Sequence, residues 1–444
     1  MGNLTNFLVL HSFCLLFVCS DVLAQPALGD GQSTSSQQED AQIKERVVVR
    51  ARPLDSVAAS VSVIDEETIE EANVRTVAEL LEYVVGARVL SSGARGGPAT
   101  IQLRGGDPNF VLVLLDGVPL NDPTDVEGGA VNLSSLPTSS VEQIEVVRGP
   151  LSYFYGSTAL SGIVNITTRR GTTEKPQVRA SVEGGSSSLV RGDASVAGMV
   201  GGGDYYLGFD WEQQAGHVGD DEFQQANFQG SFTVPVRETG TLRLSTRAAL
   251  SEADDYPESS GGPMFGSGDL RHAQVSELNV GADLHWSNTD VWHNRFITTF
   301  YRRGMDRESP GVSYFVPPSV EATSYWHLRS GWLTTYDFST VARISAGLDV
   351  DHENGKNVST LFLPPFFGGD VSGDYVLSRT TPGAFAEATA SAGDLSVEAG
   401  LRADFPEGRD TEWSPRVGAR YAVGQSGTEV RGTASRSFKL PSFF

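Results

Sequence analysis

From about Gln177 to Phe444 apolar and polar residues alternate with the period of two that a β-strand imposes. "DYYLGFDWE" sends Tyr205, Leu207, Phe209 and Trp211 to one face and Tyr206, Gly208, Asp210 and Glu212 to the other. "TLRLSTRAAL" sets Leu242, Leu244, Ala248 and Leu250 against Arg243, Ser245 and Arg247. "LSVEAGLRAD" sets Leu395, Val397, Ala399 and Leu401 against Ser396, Glu398, Arg402 and Asp404. Runs of this kind predict about thirteen strands of roughly ten residues or more, long enough to cross a bilayer when tilted. Between them, short turns such as "VGGGD", "RETG", "SNTD", "SAGD" and "GQSG" alternate with long connections at 213–222, 251–271, 304–320, 352–374 and 405–413. A membrane barrel sorts its loops this way, with tight turns at one rim and long loops at the other, whereas a soluble sandwich has no reason to. Tyr205, Trp211, Trp286 and Trp292 lie near strand ends, where interface girdles place aromatics.

Upstream, from Arg46 to about Thr168, the pattern is mixed. "ERVVVRARP" and "SVSVID" are short β-prone runs, and Asp65 is placed to cap a helix over Glu66–Glu71. Thr76 and Glu79 have capping-box spacing ahead of an apolar stripe, Val77, Leu80, Leu81 and Val84, which reads as core. "NFVLVLLDGVPLN" places Asp116-Gly117 between two apolar runs, a hairpin signal because both turn positions tolerate positive φ. Asp116 is therefore expected to form a turn rather than act as a catalytic acid.

At the N-terminus, apolar residues from Phe7 to Val18 and a small-residue end at Val22-Leu23-Ala24 predict a cleaved export signal over 1–24, although the usual basic start is missing. Residues 25–45 are polar and aperiodic, as in a flexible arm. Cys14 and Cys19 are the only cysteines, so the mature chain is expected to hold no disulfide and no Cys-ligated metal. A net charge of -22 argues against a nucleic-acid partner. No later segment is apolar enough for a membrane helix, so any crossing must run through strands.

The ordered string "RVVVRARP", "TVAELLEYVVGARV", "IQLRGGDPNFVLVLLDGVPLN" and "LPTSSVEQIEVVRGPLSYFYGSTALSGIVNITT" resembles the plug domain of the TonB-dependent outer-membrane receptors. The resemblance implies an α+β plug domain over 46–171, followed by an antiparallel transmembrane β-barrel over 177–444. It places the protein in the cell outer membrane, among lipid. In this family a plug closes a barrel of roughly 22 strands, of which about thirteen are expected here. The alternation makes the thirteenth run, Thr428–Phe438, point outward, so "KLPSFF" is expected to begin an external loop and the chain to be incomplete.

The resemblance also assigns roles. Glu45, Arg46, Val47, Val48 and Val49 occupy the place of the TonB box, which pairs as an added strand with a TonB-type energy-transducing periplasmic protein. Arg104 and Arg148 are the plug arginines expected to meet wall glutamates. Gly105, Asp116, Gly117, Gly149, Pro150, Tyr155, Gly156, Gly162 and Asn165 are turn and structural positions, the glycines at 105, 149, 156 and 162 being expected where a Cβ would clash. A small chelate or nutrient would bind over the apical loops, 91–98, 106–109 and 121–129, with Ser92, Arg95, Asp107, Asn109, Asn121 and Asp122 as candidate contacts. Uptake of an iron-siderophore complex or of cobalamin is the implied function, and a non-transporting surface binding protein is the alternative.

Other chemistry is thin. The acidic pieces "GDDE" at 219–222 and "EADDYPE" at 252–258 lack the spacing of a calcium loop and read as solvated charge. His272, His285, His293 and His327 show no metal or nucleophile spacing, so no enzyme activity and no cofactor are expected.

Overall fold

The computed structural model describes residues 60–91, 95–125, 128–215, 222–256, 269–313, 316–339, 341–424 and 427–443. The expected signal, arm and TonB box, with Ser92 and Phe444, lie outside the described residues.

The first part is built from β1 (Ser60–Ile64), α1 (Glu66–Ala72), α2 (Val77–Leu81), β2 (Ala87–Ser91), β3 (Ala99–Leu103), β4 (Val111–Leu115), β5 (Val118–Pro119), β6 (Val141–Arg148), α3 (Ser152–Tyr155) and β7 (Gly162–Thr168). Asp65 caps α1 by accepting from the Thr68 N–H at 3.0 Å. At α2, Thr76 Oγ1 accepts from the Glu79 N–H at 3.3 Å, and Glu79 returns a bond to the Arg75 N–H at 3.1 Å. The box thus closes one residue earlier than its usual form. Five strands form a sheet in the order β1-β6-β7-β4-β5, with β4 and β7 parallel, while β2 and β3 make a separate ribbon. Ile64, Leu80, Leu81, Leu103, Ile144, Val146, Val164 and Ile166 form the buried core between sheet and helices. At Asp116-Gly117 the chain reverses with φ of 49° and 84°, the left-handed pair that the hairpin turn needs.

The second part is one antiparallel sheet of β8 (Gln177–Gly184), β9 (Val190–Val200), β10 (Gly203–Ala215), β11 (Glu222–Val236), β12 (Gly240–Asp255), β13 (Arg271–Thr289) and β14 (Trp292–Ser309). It continues through β15 (Ser319–Ser339), β16 (Ala342–Leu361), β17 (Val371–Ser372), β18 (Tyr375–Ala392), β19 (Leu395–Asp404), β20 (Glu412–Val423) and β21 (Thr428–Ser435). Of its 14 strands, β17 pairs only with β16, and the others follow sequence order with β8 and β21 at the two ends of the path. The sheet is not closed by pairing between those ends.

Burial in this sheet is the reverse of a soluble protein's. Leu244 is 45% exposed and Leu401 46%, whereas Arg247 and Arg402 are each 1% exposed. Phe209, Phe228, Phe296 and Leu348 likewise face out, while Asp210, Glu212, Asn227 and Asn279 are buried. Apolar side chains outward and charges inward are stable only if lipid covers the outer face and a polar body fills the inner one. That inversion separates a membrane wall from a sandwich. Exposed Trp292, Tyr336, Phe338 and Tyr421 stand close to the short-turn rim, as an aromatic girdle requires. The wall also reaches inward, where Tyr301 and Tyr325 join the core cluster of the first part.

Candidate functional site

The polar interior of the wall meets the plug mainly through arginine. On one half, Arg243 donates to Asp116 at 3.0 Å, and Arg303 donates to Asp122 at 3.1 Å and Asp125 at 3.0 Å. Arg95, from the plug, makes a two-toothed pair with Glu212 at 2.8 and 2.7 Å. Arg247 and Gln225 both donate to the Ser135 carbonyl at 2.9 Å.

On the other half the grips end on main-chain oxygens around α3. Arg416 donates to the Pro150 carbonyl at 3.0 Å, Arg329 to that of Tyr155 at 3.3 Å and Arg402 to that of Phe154 at 3.4 Å. The charges of these arginines are balanced inside the wall, Arg402 by Asp349 and Asp404 and Arg416 by Glu398, each pair 2.7–2.8 Å apart. A guanidinium can serve both kinds of partner because it carries five donors in one plane.

Arg148 is buried and donates to the plug's own Ser60 and Ser62, at 3.1 and 2.5 Å. Arg104 lies at an exposed turn with φ of 52°. Charged plug-to-wall pairs run through Arg95, Asp116, Asp122 and Asp125, and also from Arg75 to Glu212 and from Glu66 and Glu70 to Arg179 on β8. Strand alternation alone marks Arg243, Arg247 and Arg402 as inward; which plug atom each one meets depends on distant register and has no sequence signal.

Asp116 does more than turn the chain. Its carboxylate accepts from the Thr168 N–H at 3.1 Å and the Thr168 hydroxyl at 2.6 Å, as well as from Arg243. Asp116→Asn keeps the left-handed turn but loses the charge, and is expected to cost about 1–2 kcal/mol. Thermal unfolding in detergent checks this, and an unchanged transition would refute it.

A cavity of about 120 Å³ lies between the plug loops and the wall. Gly96, Pro98, Asp122 and Asp125 line it from the plug, and Asp255, Arg271, Glu277, Tyr301, Arg303 and Arg307 from β12–β14. Asp255, Arg271 and Arg307 stand at strand ends beside the long connections, so the cavity sits toward that rim. Burial pushes the Asp122 carboxyl above its ordinary value, with Arg303 and the Thr124 hydroxyl opposing.

The other candidate contacts divide. Asn121 is committed to the fold, bonding the Val113 N–H and the carbonyls of Val111 and Gly129 at 2.7–3.0 Å. Asp107 caps the turn at Asn109, and Arg95 is held by Glu212. Asn165 bonds Glu145 at 3.0 Å, and burial raises the Tyr155 phenol to about 12. Of the four glycines assigned to clashes, Gly105, Gly149 and Gly156 have positive φ but no neighbour nearer than 3.5 Å to an added Cβ. Conformation rather than collision requires glycine there. Gly162 is the exception, its Cβ position lying 2.3 Å from the Val147 carbonyl oxygen.

The segment after β21 folds onto the apical plug loops. Lys439 donates to the Asn109 carbonyl and, at 3.3 Å, to that of Gly128, and its ammonium stands 5.7 Å from the Phe110 ring. The Phe443 N–H donates to the Pro123 carbonyl at 2.8 Å. Burial lowers Lys439 to about 8. Nothing in the periodicity of "KLPSFF" marks this contact. Among the described residues no three His, Cys, Asp or Glu side chains converge as a metal site.

Residues 53–163 match the TonB-dependent Receptor Plug Domain, and residues 192–444 match the TonB dependent receptor-like, beta-barrel family. The chain belongs to the TonB-dependent receptors. This receptor is 26% identical over 425 residues to the vitamin B12 transporter BtuB of Vibrio vulnificus strain CMCP6, covering 91% of this chain and 65% of that one. BtuB of Photobacterium profundum is 25% identical over 406 residues, covering 88% and 61%. The chain thus spans under two thirds of the length of these relatives. In fold it is similar to the siderophore receptor PirA of Acinetobacter baumannii, with TM-score 0.71, 18% identity and coverage of 87% and 62%. It is also similar to the copper transporter OprC, with TM-score 0.69, 15% identity and coverage of 89% and 64%. Receptors of this family are outer-membrane β-barrel proteins, and the lipid-facing wall described above places this one in the outer membrane.

Proposed function

We propose that this receptor takes up a scarce nutrient, an iron-siderophore complex or cobalamin, across the outer membrane. The ligand binds over the plug in the cavity beside the long connections. A TonB-type periplasmic protein then pulls on Glu45–Val49, paired to it as an added strand, and loosens the plug. The work is binding and transport, not catalysis.

One observation carries this reading. The cavity is floored by a plug whose grip on the wall runs largely through hydrogen bonds and ion pairs, beside apolar contacts at Tyr301, Tyr325 and Phe385. Polar contacts of this kind exchange with water as they open, so each one costs little to break once it is wetted. The names of the relatives, vitamin B12 transporters and siderophore receptors, support the two ligand classes.

The test uses cells lacking their own receptors for both ligands. Radiolabelled cobalamin and a labelled ferric siderophore are supplied to cells expressing the chain, with and without the TonB-type partner. Accumulation of one of them that stops when the partner is removed, or when Glu45–Val49 is deleted, is the expected result. Binding at the surface with no accumulation in either strain would assign the non-transporting role instead.

A further inference from the structure

The cavity holds three arginines, Arg271, Arg303 and Arg307, and each already faces a carboxylate. Arg303 is held by Asp122 and Asp125 at 3.1 and 3.0 Å, Arg271 by Asp255 at 2.7 and 2.5 Å, and Arg307 by Glu321 at 3.5 Å. The lining contains four acids, Asp122, Asp125, Asp255 and Glu277, against those three cations. Glu277 is in turn satisfied by Arg247 at 2.7 Å and the Tyr301 hydroxyl at 2.9 Å. The described lining therefore offers no excess positive charge to an incoming anion.

The approach to the cavity has the same sign. At the rim beside it, the ends of β11 and β12 carry Glu222, Glu252, Asp254 and Asp255. Asp269 before β13 and Asp306 and Glu308 at the end of β14 stand against Arg271 and Arg307. A mouth with this balance raises the local concentration of cations and lowers that of anions before any contact is made. A polyanionic chelate would then meet carboxylates already engaged with the arginines of the described lining, and like charges brought together in this way select against a ligand.

We propose that the ligand of this cavity carries no net negative charge: an electroneutral or cationic, hydrogen-bonding chelate or macrocycle, not a polyanionic ferric complex. This rests on the cavity being the ligand site, as proposed above. Amide and hydroxyl groups on such a ligand suit the neutral polar residues of the lining, Asn132, Ser135, Ser251 and Tyr301.

The experiment is titration calorimetry of the detergent-folded chain with four probes. They are cyanocobalamin, a neutral ferric trihydroxamate, a cationic ferric trihydroxamate and a trianionic ferric tris-catecholate. Binding of at least one of the first three, with the trianion at least about tenfold weaker, is expected. Raising the salt concentration should narrow that gap, because screening weakens repulsion at the mouth. Asp125→Asn, which removes one carboxylate from Arg303, should also narrow it. If that variant fails to fold, Asp255→Asn tests the same point at Arg271. A trianion bound as tightly as the best of the others overturns the inference and leaves the uptake reading standing. Binding of none of the four overturns the assignment of the cavity itself, and the inference with it.

Discussion

Replacing Arg402 with Met is expected to destabilise the folded receptor by about 3–5 kcal/mol, the usual cost of leaving a buried charge without its partner. Arg402 is 1% exposed and bonds both oxygens of Asp349 at 2.7 Å and those of Asp404 at 2.9 Å. A Met at this position would fill the space of the stem but leave the carboxylates of Asp349 on β16 and Asp404 on β19 without the guanidinium that joins them across β18. Only Arg329, 3.5 Å from Asp349, would remain to balance them. The same change removes the donor to the Phe154 carbonyl and so loosens α3 from the wall. Two measurements separate these effects. Thermal unfolding in detergent reports the lost pair, and limited proteolysis of the plug reports the lost grip. Adding Asp349→Asn to the Arg402→Met chain should recover part of the stability but not the protease resistance, since the carbonyl still lacks its donor. An unchanged melting transition in the single variant would refute the argument.

Much of this architecture could be read along the chain, and the reason is physical. A wall with lipid on one side and a polar plug on the other must alternate along every strand, so Leu242, Leu244, Arg243 and Arg247 declare their faces within a few residues. The caps at Asp65 and Thr76 and the reversal at Asp116-Gly117 are equally local, each set by one side chain or one pair of φ angles. Contacts between plug and wall have no such local rule. Arg402 meets Phe154 across 248 residues and Arg303 meets Asp122 across 181, and these partners are fixed by strand tilt and register together.

That difference also explains which contacts stay hidden in sequence. Arg148 belongs to a phrase that is conspicuous in sequence, but its bonds to Ser60 and Ser62 on the neighbouring strand β1 are not legible there. The wall arginines that hold the plug sit in strands whose sequences are otherwise ordinary alternations. Lys439 and Phe443 are harder still, because a short aromatic segment with a Pro has no periodicity to read. The candidate site divides along the same line. Its loops were legible as loops, and Asp122 was legible as polar, but the matched charges that decide what may enter depend on pairs across β12–β15.

Gly162→Ala is expected to cost about 3 kcal/mol or more, a loss of the size that overpacking against fixed backbone produces. Gly162 opens β7 in the middle of the plug sheet, opposite Arg148 on β6 and Val111 on β4. A Cβ there would stand 2.3 Å from the Val147 carbonyl oxygen and 2.6 Å from Leu103 Cδ1. The leucine tip can rotate away, but the carbonyl is part of the paired main chain of β6 and cannot move without parting two strands. Gly105→Ala is the matched control. Its φ of 76° also disfavours a side chain, yet nothing lies within 4 Å of the added Cβ, so its cost should be only the conformational one, about 1–2 kcal/mol. Unfolding of the two variants side by side, with protease digestion of the plug as a second readout, distinguishes collision from conformation. Equal losses at the two positions would show that the close approach at Val147 is not what requires glycine at 162.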